Sequence, residues 1–323
     1  MDLATDTRLF IRSETLKHRA IGDRLFKWLT LLMALCVFVL IVLIGFELAK
    51  GSSLALKKFG WSFLVSSDWD PVNAQFGALP FIFGTLVSSL IALLIAVPLS
   101  IATAVYLTEI APLRVQQVLT LFVELLAAVP SVILGLWGIF VMVPWCREHL
   151  FPWLRGTLGF LPIFQGPIYG LSMLAGGIIV AIMILPIITS VSREILRSVP
   201  GLQREAAYAL GATKWEVTRI AVLSYARKGL FGAIILGLGR ALGETMAVTM
   251  VIGNRPEVAT SLFAPGYTLA SVVANEFAEA TTDIYLNAIF EIGLVLIGVT
   301  VLVNALAQIL LKTFAGATVA QPH

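Results

Sequence analysis

Two charged residues lie where charge is costly. Arg240 and Glu244 sit inside an apolar run from Gly229 to Ile252. At a bilayer centre each costs at least about 2.5–3.5 kcal/mol on insertion scales. At about 1.5 Å per residue, Arg240 falls roughly 16 Å beyond Gly229, near the midplane of a hydrocarbon core about 30 Å thick. Arg240 and Glu244 are four residues apart, so they share a helix face. That face must look into protein or into a polar pathway. Two chemistries fit. One is a buried structural ion pair. The other is an anion station: a guanidinium offers a planar fork of donors matched to phosphate oxygens and keeps its charge. The neighbouring carboxylate would then keep the anion from being held too tightly. Gly239 and Gly243 form a small-xxx-small pair that would let another helix approach.

A second constellation is Glu205-Ala206-Ala207 followed by Gly211. Pro200-Gly201 closes the preceding helix. Glu205–Leu210 is a short helix-forming stretch that Gly211 ends as a C′ glycine, and Lys214–Leu223 reads as a second amphipathic helix. Such a pair either lies on a membrane surface or is a coupling element that plugs into a cytoplasmic motor.

The elements that must position these residues follow from composition. The chain is 59% hydrophobic and 13% charged, against about 25% charged in soluble domains, so the excess apolar surface must face lipid. A spanning helix needs about 20 mostly apolar residues. Six runs qualify: Trp28–Leu48, Phe81–Leu107, Leu119–Val143, Tyr169–Val191, Gly229–Ile252 and Leu286–Leu311. The class is an all-α, polytopic helical bundle. A tail (1–27) precedes a transmembrane region (28–311) that carries a cytoplasmic loop (192–228), and a second tail (312–323) follows. The first run is too long, and too far from the start, for a secretory signal. With the N-terminus inside, 15 Lys and Arg fall on inner segments and 6 on outer ones. That bias puts both termini in the cytoplasm.

The remaining polar and special residues fit around this frame. Glu124 and Glu291, each about a turn inside a span, read as reaching the interface. Pro98, Pro130 and Pro186 are expected to kink their helices. Trp61 and Trp69 read as interfacial aromatics. Glu276, Glu279 and Asp283, on the outer loop Gly253–Tyr285, are either a solvated face or a docking surface. Cys36 and Cys146 are too separate to pair, and no metal site of the CxxC kind exists. His18, His149 and His323 all lie outside the apolar runs, which excludes an intramembrane histidine relay.

Glu205-Ala206-Ala207-x-x-x-Gly211 resembles the EAA loop of ABC importer permeases, which docks in a cleft of the ATP-hydrolysing subunit. The family pattern continues to Ile-x-Leu-Pro, where this chain has Ala221, Leu223 and Ser224. The stretch Gly237-Leu-Gly-Arg-Ala-Leu-Gly-Glu-Thr-Met-Ala-Val248 resembles the C-type permease of bacterial high-affinity phosphate (Pst) importers. Gly84-Thr-Leu-Val87 through Pro98, Glu124-Leu-Leu-Ala-Ala-Val-Pro-Ser131 with Gly135-Leu-Trp-Gly138, and Ala274-Asn-Glu-Phe-Ala-Glu-Ala280 fit the same family. The resemblance implies a type I ABC importer permease fold with Arg240 and Glu244 on the phosphate path. It implies a sister permease, two ATPase subunits and a periplasmic phosphate-binding protein as partners. The chain has no G-x4-GK[ST] loop, so ATP is expected on a separate subunit. No enzymatic activity, bound cofactor, metal or nucleic-acid partner is expected of this chain. The rivals are a permease for another oxyanion, such as molybdate or sulfate, and a secondary transporter or channel, which should show inverted repeats or a relay of ionisable residues.

The orientation is testable by single-cysteine labelling with an impermeant reagent. Cysteines at Asp2, Glu205 and Gln321 should be protected in intact spheroplasts, and those at Trp61, Trp153 and Pro256 should label. Labelling at position 205 refutes the topology.

Overall fold

The structure is a computed structural model that describes residues 3–316, with side chains from 23 to 311. The tails at 1–27 and 312–323 lie largely or wholly outside the described side chains. The chain divides at Lys50 into two units. The first is one helix, α1 (Leu3–Gly51), whose part from Asp23 is apolar enough to cross a membrane. Its described side chains are almost all exposed, as a helix facing lipid requires.

The second unit holds everything from Gly51 onward. Short helices α2 (Ser53–Phe59) and α3 (Ser62–Val65) lead into a two-stranded hairpin, β1 (Trp69–Asp70) and β2 (Gln75–Phe76). Helix α4 (Leu79–Val105) continues through a π-helical turn to Ile110. Then come α5 (Leu113–Ala128), α6 (Ser131–Trp137), α7 (Val143–Trp145) and α8 (Phe151–Leu158), with π-helical turns between the last three. Helices α9 (Met173–Arg197), α10 (Gly201–Ala209), α11 (Lys214–Val217), α12 (Ser224–Leu242), α13 (Met246–Ile252), α14 (Leu269–Glu276) and α15 (Asp283–Gly316) complete the order. Among the described residues, six segments are long and apolar enough to span a bilayer: Asp23–Gly51, Leu79–Ile110, Ser131–Leu158, Met173–Arg197, Lys214–Leu242 and Asp283–Leu311.

Two spans differ from the sequence-based expectation. The third was expected at Leu119–Val143, but the helix is interrupted at Val129-Pro130, and the spanning stretch runs from Ser131 to Leu158. Proline has no N–H and pushes the residue before it into extended backbone; Val129 has ψ 126°. Pro98 and Pro186, by contrast, stay inside α4 and α9. The fifth span was expected at Gly229–Ile252. Its helix starts at Lys214, because α11 runs through a π-helical turn into α12, and it ends at Leu242. The second amphipathic helix expected over Lys214–Leu223 is therefore the root of the fifth span. The fourth span, expected over Tyr169–Val191, is shifted to Met173–Arg197, which shortens the loop after it, expected over 192–228, to residues 198–213.

Helix α9 is central and packs on α4, α5, α12 and α13. Lipid tails are as apolar as leucine, so close van der Waals fit and polar contacts hold such helices together. The α4–α9 seam fits that rule: Ala92 and Ala96 are fully buried on α4, as are Ala175, Gly177 and Ala181 on α9. The Ser100 hydroxyl donates to the Leu185 carbonyl at 3.0 Å, beside Pro186.

At one end of the bundle a separate apolar cluster joins Phe63, Phe76, Phe81, Tyr267, Val272 and Tyr285. The Glu276 carboxylate accepts from Trp69 Nε1 and from the Tyr285 hydroxyl, both at 2.7 Å. Trp69 therefore belongs to a packed aromatic cluster and Glu276 is engaged internally, whereas Trp61 is exposed. Burial pushes the pKa of the Tyr267 hydroxyl up. The loop after α13 turns back on itself: Met173 and Leu174 N–H groups donate to the carbonyls of Ala264 and Leu262. Those contacts satisfy N–H groups that the first turn of α9 cannot satisfy within the helix.

Gly84 marks the closest approach of α4 to this loop. A Cβ there would collide with the Tyr267 carbonyl, whereas one on Gly298 would meet nothing within 4 Å. Gly84→Ala should cost about 1–3 kcal/mol or more, because backbone cannot yield as a side chain does. Gly298→Ala should be tolerated. The measure is the fraction of monodisperse protein left after detergent extraction at rising temperature. Equal losses in both variants contradict the packing.

Candidate functional site

Arg240 occupies the last turn of α12, and Glu244 sits in the irregular link 243–245 before α13. The two are not on one continuous helix, yet they meet: Arg240 Nη2 lies 3.4 Å from Glu244 Oε2. Their environments differ sharply, with the arginine side chain 50% exposed and the glutamate 4%. Glu244 Oε1 lies 3.5 Å from the Ala247 N–H at the start of α13, a long contact. The glutamate is held inside the fold, and the guanidinium reaches out of it. The close helix approach expected at Gly239 and Gly243 is absent within this chain: a Cβ on Gly239 meets nothing within 4 Å, and one on Gly243 meets only the Gly239 carbonyl.

Arg240 borders two cavities. One, of about 280 Å³, lies beside the interruption between α5 and α6 and is lined by Leu126, Ala127, Val129 and Met183. The other, of about 620 Å³, lies between α12 and α15 and is lined by Gly232, Gly239, Asn304 and Gln308. Ile187 of α9 lines both. The interruptions at Val129-Pro130 and at 243–245 are bridged through their short helices. Gly135 of α6 lies against Ala247 and Met250 of α13, and Gly138 lies against Val251 and Ile179. Side chains larger than hydrogen would hold α6 and α13 apart.

The loop after α9 carries the second constellation. Helix α10 holds Glu205, Ala206 and Ala207; Glu205 and Ala206 are exposed and Ala207 half-buried. Gly211 has φ +82°, the left-handed conformation that glycine adopts without strain. The Ala212 N–H donates to the Ala207 carbonyl there at 3.2 Å. Thr213 and Glu216 form a reciprocal capping box that starts α11. Leu202, Leu210 and Trp215 are strongly exposed on this loop.

Two arginines of weight were not singled out from sequence, and one glutamate that was, Glu291, is placed differently by the structure. Arg204 Nη2 lies 2.9 Å from Glu109 Oε1, and its donors also reach the carbonyls of Val199 at 2.6 Å and Leu196 at 3.0 Å. One side chain thus ties α10 to the end of α4 and to the C-terminus of α9, where cations are favoured. Arg193 donates to Thr120 Oγ1 at 2.6 Å and lies 3.7 Å from Glu124 Oε1, which joins α9 to α5. Glu291 does not reach the interface: it is 3% exposed, and its Oε2 has no hydrogen-bond partner. Sequence offers no local signal for partners this far apart in the chain.

A family model described as "Binding-protein-dependent transport system inner membrane component" matches residues 96–316. The chain belongs to this family. The matched region of this inner membrane component takes in Arg240, Glu244, the α10 loop and all of α15. Among curated relatives, the "Phosphate transport system permease protein PstC" of Mesorhizobium japonicum is 45% identical over 304 residues, 93% of each chain. The protein of the same name from Haemophilus influenzae is 45% identical over 293 residues, 90% of this chain and 93% of its own. Among solved structures, an inward-facing MetNI methionine ABC transporter chain is 19% identical, with a TM-score of 0.49. It covers 73% of this chain and 94% of its own.

The Arg204 anchor gives a local test. Arg204→Ala leaves the Glu109 carboxylate and two carbonyls without their donor, a loss of about 1–3 kcal/mol. If α10 opens locally, amide exchange across Gly201–Ala209 should accelerate roughly 5- to 100-fold. Hydrogen–deuterium exchange on the purified protein reads this directly, and unchanged rates contradict the anchor.

Proposed function

We propose that this chain is the membrane-spanning permease subunit of an ATP-driven importer of inorganic phosphate in a bacterial cytoplasmic membrane. Both termini face the cytoplasm. The observation that carries the reading is Arg240: a half-exposed guanidinium bordering two cavities, with its counter-charge Glu244 buried behind it. A purely structural ion pair would have both members enclosed. An arginine tethered on one side and open on the other can accept an oxyanion without losing its own position. The relatives' shared name brings phosphate as the anion.

The chain hydrolyses nothing and binds no cofactor. ATP is bound and split on two partner ATPase subunits, which receive the exposed face of α10 around Glu205 and Ala206, with Ala207 behind it and Gly211 setting the turn. A sister permease completes the pathway, and a periplasmic phosphate-binding protein delivers the anion to the outer end. The bundle alternates between outward and inward openings. Arg240 attracts the dianion at mid-path, and Glu244 offsets part of its charge so that release stays fast.

Uptake of labelled phosphate and the amount of inserted complex should be measured separately in four variants. Arg240→Gln should reduce uptake by roughly 10- to 100-fold, from loss of charge-assisted hydrogen bonds, with complex present. Arg240→Lys keeps the charge but not the planar fork and should give a partial defect. Glu244→Gln should slow release and lower uptake. The exchange Arg240→Glu with Glu244→Arg should not restore transport. Full uptake by the exchanged pair shows that the two residues are structural glue, and transport without ATP sinks the importer reading.

A further inference from the structure

We propose that Asn304 and Gln308 of α15 are neutral phosphate-binding residues that continue the anion path from Arg240 towards the cytoplasm. The proposal rests on the reading of this chain as a phosphate permease. Both amides line the 620 Å³ cavity that Arg240 borders. They stand four residues apart, so they share a helical face and lie about 6 Å, just over one turn, apart along it. The step from Asn304 to Gln308 runs towards the C-terminal end of α15, the end that charge distribution assigns to the inside.

Two observations, and the neutrality of the donors, point to a ligand rather than to packing. The Asn304 amide oxygen is buried with no hydrogen-bond partner, so that atom does not tie the side chain to a neighbouring helix. An amide in a spanning helix normally finds a partner on a neighbouring helix. Here the facing wall is α12 at Gly232 and Gly239, where an added Cβ would meet nothing within 4 Å. The space between the helices is kept open at the height of the amides. The donors are also neutral. A path made only of arginines would trap a dianion, whereas amide N–H groups offer hydrogen bonds without a deep electrostatic well. Arg240 thus supplies attraction, and the two amides supply a graded way off it.

The test uses the complete transporter, with partner subunits and binding protein, in proteoliposomes supplied with ATP and labelled inorganic phosphate. Asn304→Leu with Gln308→Leu should lower uptake about tenfold, from loss of two hydrogen bonds, while the partner subunits still co-purify. Asn304→Gln and Gln308→Asn retain the donors and should stay within about twofold of wild type. Asn304→Asp and Gln308→Glu keep size and polarity but oppose an anion, so each should fall at least as far as the leucine pair. Wild-type uptake by the leucine pair overturns the assignment. Should leucine disrupt assembly, the acidic variants decide: normal transport by them means that the amides hold helices together, and the assignment fails. A wild-type complex that assembles and splits ATP yet takes up no phosphate removes the phosphate reading itself, and this assignment with it.

Discussion

Backbone polar groups cannot be left facing lipid, and the architecture around Arg240 depends on that constraint. Irregular backbone at membrane depth survives only where protein encloses it or where it lines a wet cavity. This chain interrupts helices at Val129-Pro130 and at 243–245, and Arg240 stands next to both. The short helices that follow, α6 and α13, are pressed together through Gly135 and Gly138. Each interruption is thereby shielded on one side by the other's helix. The remaining side is the cavity space into which the guanidinium projects. The charge and the broken helices thus lie together around one cavity.

The rest of the fold holds that arrangement from two ends. On one side, the loop after α13 caps the start of α9 and is seated against α4 where Gly84 allows contact. Trp69, Tyr285 and Glu276 fasten the hairpin to α14 and α15. On the other side, Arg204 fastens α10 to α4 and α9. Between them, small residues let α4 and α9 approach closely, with Ser100 bonded across the seam.

Much of this was legible in the sequence, and the exceptions have physical reasons. Hydropathy marks spans because lipid demands long apolar helices, so six runs could be read and six candidate spans are found. Gly211 could be read as a turn because few other residues accept its positive φ. Arg240 and Glu244 stood out because charge is rare at that depth. The helix break at Pro130 was not separable from a kink, since proline permits both and neighbouring helices decide. The link at 243–245 carries no proline at all, and no local pattern predicts that Glu244 is buried there. Arg204 and Glu109 are 95 positions apart. Only the fold brings them together.

The Arg204 clamp has a mechanical meaning. A helix as short as α10, about 13 Å long, bends little on its own, so the compliance of the joint at its base decides what a force on its tip achieves. A side chain that grips a carboxylate on one helix and two carbonyls on another makes that joint stiff in more than one direction. A force applied to α10 would then be carried into α4 and α9, with little lost in fraying of the loop. The same stiffness works in reverse: a load arriving along α9 would tilt α10 as a unit.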